Sequence, residues 1–241
     1  MTESEWLASG DPAAMLHLMA SGIGSAGKRI GSDRKLRLFA CAVARRSWDL
    51  FTTAISKRAI EIAERFADGE ASEDALRDAD HDAYAAFRRA TRHEGGREIR
   101  PQWPASCGCE PSGDMAAREA LSPLDTAEEK AAQAALLREI IGNPWRPVSP
   151  YVLRDIRDGL GRLIHTTHDS APWLTPQVVT LAQAAYQDRQ QDGTLDPVTL
   201  LATADALEEA GCTNADILTH LRSPGPHFRG CHVLDCLLGK E

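Results

Sequence analysis

Helix-start signals recur along this chain and constrain its fold more than any other feature. Asp11-Pro12, Thr175-Pro176 and Asp196-Pro197 each place a side-chain acceptor directly before a proline. The acceptor satisfies free amides of the first turn, and proline is tolerated next because its missing amide had no partner there. Thr126 and Glu129 form a fourth signal, a capping box. These signals predict helices along most of the chain.

Apolar residues repeat at helical spacing between these signals. Leu36, Phe39 and Val43 fall on one stripe of a helix that starts at Ser32 or Asp33. We therefore predict an all-α fold of about eight helices, an irregular multi-helix bundle or short helical array with a long irregular central loop. Residues 151–165 are predicted as one of these helices, weakened by two glycines, and residues 233–238 as a helix or a strand.

The prolines of residues 97–125 divide the chain into three parts. We predict an N-terminal helical segment over 1–96, an irregular Pro- and Cys-containing loop over 97–125, and a C-terminal helical segment over 126–241. A chain of 241 residues is long enough to fold these segments into one compact domain.

Composition and sequence patterns limit the cellular locations that are expected for this chain. No apolar run approaches the roughly 20 residues that span a bilayer, so no membrane contact is expected. The N-terminus is acidic and lacks a secretion signal, and the six cysteines are not spaced as a disulfide scaffold, which favours reduced thiols in the cytoplasm. We find no catalytic motif: no nucleophile elbow, no phosphate-binding glycine loop and no dinucleotide fingerprint.

The strongest chemical signal lies near the C-terminus. Cys212, His220, His227 and Cys231 supply thiolates and imidazoles, the ligands that zinc prefers, although their spacing matches no standard zinc finger. The alternative interpretation is that the cysteines are small buried hydrophobic residues and that His220 lies at a helix C-terminus, where the dipole favours a cation. Both interpretations stay open at this point.

Local basic stretches oppose the formal net charge of −8. They predict an anion-binding or nucleic-acid face, although the acidic chain as a whole disfavours binding to a phosphate backbone. The alternative is pairing with acidic residues on neighbouring helices. The cations concerned are Arg34, Lys35, Arg37, Arg45, Arg46, Arg88, Arg89 and Arg92.

Residues 223–238 are predicted to form a C-terminal hook. Pro224 and Pro226 stiffen its turn. Its apolar strip must dock on the helices that begin near Thr175 and Asp196, or on a partner. The polar residues predicted to flank the turn and to bind a partner are Arg222, His227, Arg229 and His232.

A set of short segments runs from the N-terminus to the C-terminal hook: Glu5-Trp6-Leu7-Ala8, Asp11-Pro12 with Met15-Leu16, Arg34-Lys35-Leu36-Arg37-Leu38-Phe39-Ala40-Cys41, Ala63-Glu64-Arg65 with Ala67-Asp68-Gly69, Gly142-Asn143-Pro144 with Arg146-Pro147, Trp173-Leu174, Leu181-Ala182-Gln183-Ala184, Ala204-Asp205-Ala206-Leu207-Glu208-Glu209-Ala210-Gly211-Cys212 and Pro224-Gly225-Pro226-His227 with Arg229-Gly230-Cys231. Together these segments resemble an uncharacterised helical family that is abundant in planctomycete-type bacteria. The resemblance covers about two thirds of the chain and departs at Val43, Ala44 and His232, where the family has cysteines and a tryptophan. It implies no established activity, but the family also occurs as one module of longer proteins, which is typical of an interaction domain.

Three functional hypotheses follow from the sequence. The leading one is a non-catalytic helical module that binds another protein, as an accessory subunit of a larger bacterial complex. The first alternative is a zinc-binding protein, structural or hydrolytic, that uses the C-terminal Cys/His cluster. The second is an accessory protein that contacts nucleic acid through its arginine-rich faces.

Overall fold

The fold is mostly helical, which confirms the predicted all-α multi-helix class. A computed structural model describes residues 1–21, 30–51, 53–93, 108–121 and 126–240. Within these ranges there are eleven α-helices and one β-hairpin. The helices are α1 (Glu3–Ala8), α2 (Pro12–Ser21), α3 (Asp33–Arg45), α4 (Ala54–Ala67), α5 (Glu73–His93), α6 (Gly113–Ala120), α7 (Ala127–Ile141), α8 (Pro176–Gln187), α9 (Pro197–Glu209), α10 (Ala215–Leu221) and α11 (His232–Leu238).

Side-chain caps start the helices where the sequence signals lie. Thr175 accepts the amide of Val178, and Asp196 accepts the amide of Thr199, each one residue before the proline that begins α8 or α9. Thr126 likewise accepts the amide of Glu129 at the start of α7. The Glu129 carboxylate pairs with Arg46, the C-cap residue of α3. Glu129 therefore has two roles: its amide is bound by the Thr126 cap, and its carboxylate links the start of α7 to the end of α3.

Helix α3 lies at the centre of the core. Ten of its thirteen residues are buried. One side packs with α1, α2, α6 and α7 around Trp6 and Phe39, and another side packs with α4 and α5 around Ile60. Helices α8 to α11 form a further apolar cluster. The core therefore consists of adjoining clusters, two of which share α3.

The C-terminal tail is a helix that docks on the core. Val233, Leu234 and Leu237 of α11 are buried in the same apolar cluster as the inner faces of α8 and α9. This confirms the prediction that the apolar strip packs on the helices that begin near Thr175 and Asp196.

The prediction of a helix over residues 151–165 is wrong. Strands β1 (Tyr151–Arg157) and β2 (Leu163–Ser170) form an antiparallel hairpin, with Tyr151 opposite Ser170 and a register shift beside Ile156. In the turn, Gly161 has a φ of 79° and the Asp158 carboxylate accepts the amides of Leu160 and Arg162. The glycines that weakened the helix prediction therefore belong to this hairpin turn.

Residues 97–125 are not entirely irregular. Helix α6 lies within them, with its N-cap Ser112 and with Ala116, Ala117 and Ala120 buried against the core. Residues 97–107 and 122–125 lie outside the described residues. Across the part of the chain that is described, no helix is both long enough and apolar enough to cross a membrane.

Docking of the tail predicts a stability cost for truncating a buried residue in α11. Leu237 is 2% exposed, whereas Leu201 on α9 is 47% exposed. We expect Leu237→Ala to lower the free energy of unfolding by about 2–5 kcal/mol because it leaves a cavity in the core. Leu201→Ala serves as the control and should cost much less. Urea unfolding of both variants measures the difference, and equal costs would show that α11 contributes nothing to the core.

Candidate metal centre

Four side chains from distant parts of the chain converge at the C-terminal end of α7. Glu139, His220, His227 and Cys231 each offer one potential ligand atom, and these atoms all lie within 4.8 Å of one another. Glu139 lies in the last turn of α7 and His220 in the last turn of α10. His227 lies in the hook between α10 and α11, and Cys231 is the N-cap residue of α11. The cluster therefore joins α7 to the C-terminal segment.

The separations within the cluster are close to those of a tetrahedral zinc site. His227 Nδ1 lies 3.0 Å from Glu139 Oε1, and His220 Nε2 lies 3.2 Å from Glu139 Oε2. Cys231 Sγ lies 3.1 Å from His220 Nε2. Zinc–ligand bonds of about 2.0–2.3 Å at tetrahedral angles place neighbouring ligand atoms about 3.3–3.7 Å apart. The three quoted separations are slightly shorter than this, whereas the full set of ligand atoms spans up to 4.8 Å, so the side chains would have to adjust to hold the ion.

Hydrogen bonds outside the cluster fix the orientation of His227. Its Nε2 lies 3.2 Å from both the hydroxyl and the carbonyl oxygen of Ser223. The Ser223 hydroxyl donates to the carbonyl oxygen of His220 at 2.7 Å, so it is left to accept from His227. Nε2 therefore carries a proton, and Nδ1 faces Glu139 and the centre of the cluster. Metal-binding histidines typically donate their second nitrogen in this way.

His232 supports the cluster from the side. Its Nδ1 donates to the main-chain carbonyl oxygen of Glu139 at 2.8 Å, and its ring centroid lies 4.3 Å from that of His220. Burial lowers the pKa of His232 to about 4, so the ring is neutral near pH 7. Gly142 has a φ of 75°, and a Cβ there would lie 2.7 Å from Cδ2 of His232. A glycine is therefore required where α7 ends beside this ring.

Without metal, the additional proton on His227 pairs this ring with the Glu139 carboxylate and so stabilises the cluster. Burial disfavours the charged form of His227, but its interactions with the neighbouring Cys231 and Glu139 outweigh it and raise the pKa of His227 to about 10. Burial likewise disfavours ionised Glu139, yet hydrogen bonds from His220 and His227 bring its pKa well below its ordinary value. Burial raises the pKa of the Cys231 thiol to about 11. Zn²⁺ bound to ionised Glu139, a Cys231 thiolate and two neutral histidines forms an equally neutral unit.

The structure brings together three of the four predicted ligands. Cys212 is instead buried in the apolar cluster of α8 to α11, as the alternative interpretation of the cysteines expected. Its place is taken by Glu139, which lies 88 residues before His227. Spacing within the C-terminal segment gave no indication of Glu139. A local signal was present, because this carboxylate interrupts the apolar run of Leu136, Leu137 and Ile140 on α7.

The residues predicted to bind a partner are mostly not available at the surface. His227 and Arg229 are buried, and His232 lies against Glu139. The Arg229 guanidinium lies 3.5 Å from an Asp68 oxygen and 5.3 Å from the centroid of the Tyr186 ring. Arg222 pairs with Asp205 and Glu208 on α9. The expectation of an exposed polar flank around the hook is therefore corrected.

The basic face predicted on α3 also faces inward. Arg34 and Lys35 pair with Asp235, and Arg45 pairs with Glu64. Arg37 is buried and donates to the carbonyl oxygens of residues 108 and 110. The remaining cations are Arg46, which pairs with Glu129, the exposed Arg88 and Arg89 on α5, and Arg92, whose side chain lies outside the described residues. This corrects the expectation that α3 presents an exposed cationic surface.

Comparison with known proteins adds no further guide to function. Searches against protein-family models, curated proteins and solved structures found no match to this chain. The chemistry of the cluster is therefore the observation from which a function is proposed.

The ion network beside the cluster predicts how stability depends on pH. Burial disfavours ionised Asp68, but the charge and hydrogen bonds of Arg34, with Arg229 and Lys240, outweigh it and lower its pKa. The resulting stabilisation is present above the unfolded pKa of about 3.9 and is lost as the pH falls through the lower folded pKa. We expect Asp68→Asn to lower the free energy of unfolding at pH 7 by about 3–5 kcal/mol.

The change of stability between neutral and acid pH distinguishes loss of the Asp68 ion pairs from a general loss of stability. Between pH 7 and pH 3, Asp68→Asn should lose less stability than the wild type because one ionised carboxylate has been removed. Asp74, which pairs with Arg77 and has an 82% exposed side chain, provides the control Asp74→Asn. Denaturant unfolding at several pH values tests this, and parallel curves for wild type and Asp68→Asn would contradict it.

Proposed function

We propose that this chain is a zinc-binding helical protein in which Glu139, His220, His227 and Cys231 hold one ion. The observation that carries the proposal is the convergence of these four ligand atoms within 4.8 Å. Three of them lie on the C-terminal segment and one on α7, so the ion joins two parts of the fold that are distant in sequence.

The composition of the ligand set favours zinc over the hard cations. Ca²⁺ and Mg²⁺ take oxygen ligands, whereas this cluster offers one sulfur, two imidazole nitrogens and one carboxylate. Zinc accepts this mixture in tetrahedral geometry. The described cysteines are all free, so Cys231 is available as a thiolate ligand, and reduced thiols fit the proposal of a cytoplasmic location.

The proposed ion has a structural role. Four protein ligands are typical of structural zinc sites, and metal binding by ligands from separate segments contributes to the free energy of folding. The turn of the hook follows α10 and leads into α11, so the proposed ion holds this turn against α7. Removal of zinc is then expected to loosen the hook from α7.

Metal analysis of the purified protein tests the proposal. We expect about one equivalent of zinc, and a chelator should lower the melting temperature. Cys231→Ser and Glu139→Gln should each lose most of the bound metal. Cys212→Ser is the matched control, because Cys212 is buried outside the cluster and should leave the zinc content unchanged. Wild-type protein that takes up no zinc even after reconstitution would overturn the proposal.

Interaction with another protein is the second candidate, and the surface of the hairpin favours it. The charges of the hairpin are partly neutralised within it, since Arg157 pairs with Asp155 and Arg162 with Asp158. In the described sheet both strands have an open edge, which is suited to pairing with a further strand. We propose a second copy of this chain as the partner. The exposed apolar residues of the hairpin are Tyr151, Val152, Leu160, Leu163 and Ile164.

Light scattering after size exclusion tests the second candidate. We expect the wild type to elute as a dimer, and the double substitution Leu163→Glu with Ile164→Glu to elute as a monomer, because charges interrupt the apolar surface. Leu201→Glu on α9 introduces a charge at another exposed leucine and should leave the dimer intact. A wild-type protein that is monomeric at every concentration would contradict the proposal. The resemblance to the bacterial helical family also supports an interaction role, because that family occurs as one module of longer proteins.

A further inference from the structure

We infer that Lys35 is a positioning residue of the proposed zinc site and that it raises the affinity for zinc without contacting the ion. The inference rests on the proposed function, because it presupposes that the four-residue cluster binds zinc. It goes beyond that proposal because Lys35 belongs to α3, and none of the four ligands lies on that helix.

The ammonium group of Lys35 makes three short contacts. Its Nζ donates to the carbonyl oxygen of Ile140 at 2.8 Å and to that of Gly230 at 2.8 Å. It also lies 2.6 Å from a carboxylate oxygen of Asp235. An ammonium group has three donors and no acceptor, so these contacts use all of its hydrogen-bonding capacity. The position of Nζ is therefore fixed relative to all three groups.

Two of these contacts lie directly beside metal ligands. Ile140 follows Glu139 at the end of α7, and Gly230 precedes Cys231 at the start of α11. These two ligands come from segments that are distant in sequence. One ammonium group therefore binds the backbone of both segments and fixes the distance between them.

The third contact fixes α11 itself. The main-chain amide of Asp235 donates to the carbonyl oxygen of Cys231 at 2.9 Å, so the carboxylate that Lys35 binds lies one helical turn from this ligand. The same carboxylate also pairs with Arg34. Lys35 therefore holds Cys231 from two sides, through the residue before it and through the turn after it.

Local physics disfavours a cation at the position of Lys35. The residue lies in the first turn of α3, where the helix dipole opposes a positive charge. Its side chain is only 12% exposed, and withdrawing a charged group from water costs free energy. Tertiary contacts offset these costs, and those contacts are the ones that hold α7 and α11 together.

Fixed ligand positions matter for the affinity of a metal site. A site built from separate segments loses affinity if the ligands must first be brought together, and groups that hold them in place reduce this cost. His232 provides another link between the same segments, because its Nδ1 donates to the carbonyl oxygen of Glu139 at 2.8 Å. Loss of Lys35 should therefore weaken zinc binding without abolishing it.

The zinc affinity of Lys35→Met tests the inference. Methionine keeps an unbranched side chain but removes the charge and the donors, and Asp235 keeps Arg34 as its partner. We expect the dissociation constant for zinc to rise about 10–100-fold, as is typical when a group that orients metal ligands is removed. It is measured by competition with a chelator of known affinity, at a temperature where circular dichroism shows folded protein.

Arg45→Met is the matched control. Arg45 is another buried cation of α3, and its partner Glu64 likewise keeps a second cation, Arg189. Both substitutions should lower the melting temperature, because each removes one partner of a buried ion pair. Arg45→Met should nevertheless bind zinc with the affinity of the wild type.

Lys35→Arg carries the test if Lys35→Met is unfolded. Arginine keeps the charge beside Asp235, which favours folding, but no nitrogen of its planar group carries three protons. It therefore cannot reproduce the three contacts of Nζ. We expect Lys35→Arg to fold and to bind zinc about tenfold or more weakly than the wild type.

The outcomes separate the inference from the proposed function. Wild-type protein that binds no zinc overturns the zinc site and the inference with it. Zinc binding by the wild type with an unchanged dissociation constant in the folded Lys35 variant leaves the site standing and overturns the role of Lys35. An equal rise in Arg45→Met also overturns that role, since loss of any buried cation of α3 would then suffice. Failure of both Lys35 variants to fold overturns it as well, because Lys35 would then be required for folding rather than for metal affinity.

Discussion

The buried ion network at the start of α3 is the interaction on which the rest of the fold depends. Arg34 donates to Asp68 after α4, to Asp235 on α11 and to Tyr186 on α8. Lys35 donates to the carbonyl oxygens of Ile140 and Gly230 and pairs with Asp235 at 2.6 Å. Ile140 follows Glu139, and Gly230 precedes Cys231. Lys35 therefore fixes the backbone on both sides of the candidate metal centre, and Arg34 beside it joins the start of α3 to α8 and α11.

In this arrangement, keeping both partners of each buried ion pair matters more for stability than the number of contacts that each partner makes. A buried ion pair contributes little net stability compared with an apolar contact, but loss of one partner leaves an uncompensated charge in the interior. Asp235 and Asp68 are almost fully buried and form ion pairs with arginines and lysines of other segments, and the Tyr186 hydroxyl also donates to Asp68. The network therefore specifies which segments meet, and the apolar clusters on either side supply most of the free energy of folding.

Local signals predicted the parts of the fold that depend on local physics. The caps at Thr175 and Asp196 were visible because the residues that satisfy the first turn are neighbours in sequence. The hairpin was missed although β-branched residues, including Val152, Ile156 and Ile164, recur along it, because the two glycines of its turn resemble interruptions of a helix. The inward orientation of Arg34 was missed for another reason: its acidic partners lie 34 and 201 residues away.

The candidate centre shows the same division between local and distant information. His220, His227 and Cys231 were found together because they lie within twelve consecutive residues, from the end of α10 to the start of α11. The fourth ligand was missed because no spacing rule connects α7 to the hook, and Cys212 was chosen in its place because its residue type suits zinc. A carboxylate is nevertheless the residue type that this position requires. A second thiolate would give a zinc site of net zero charge as well, but without metal it would leave His227 beside a neutral thiol. Glu139 remains ionised and pairs with His227 at 3.0 Å. Without metal the cluster is therefore a hydrogen-bonded unit, which keeps the ligands near the positions that an entering ion would need, although it holds the hook less firmly than the proposed zinc ion would.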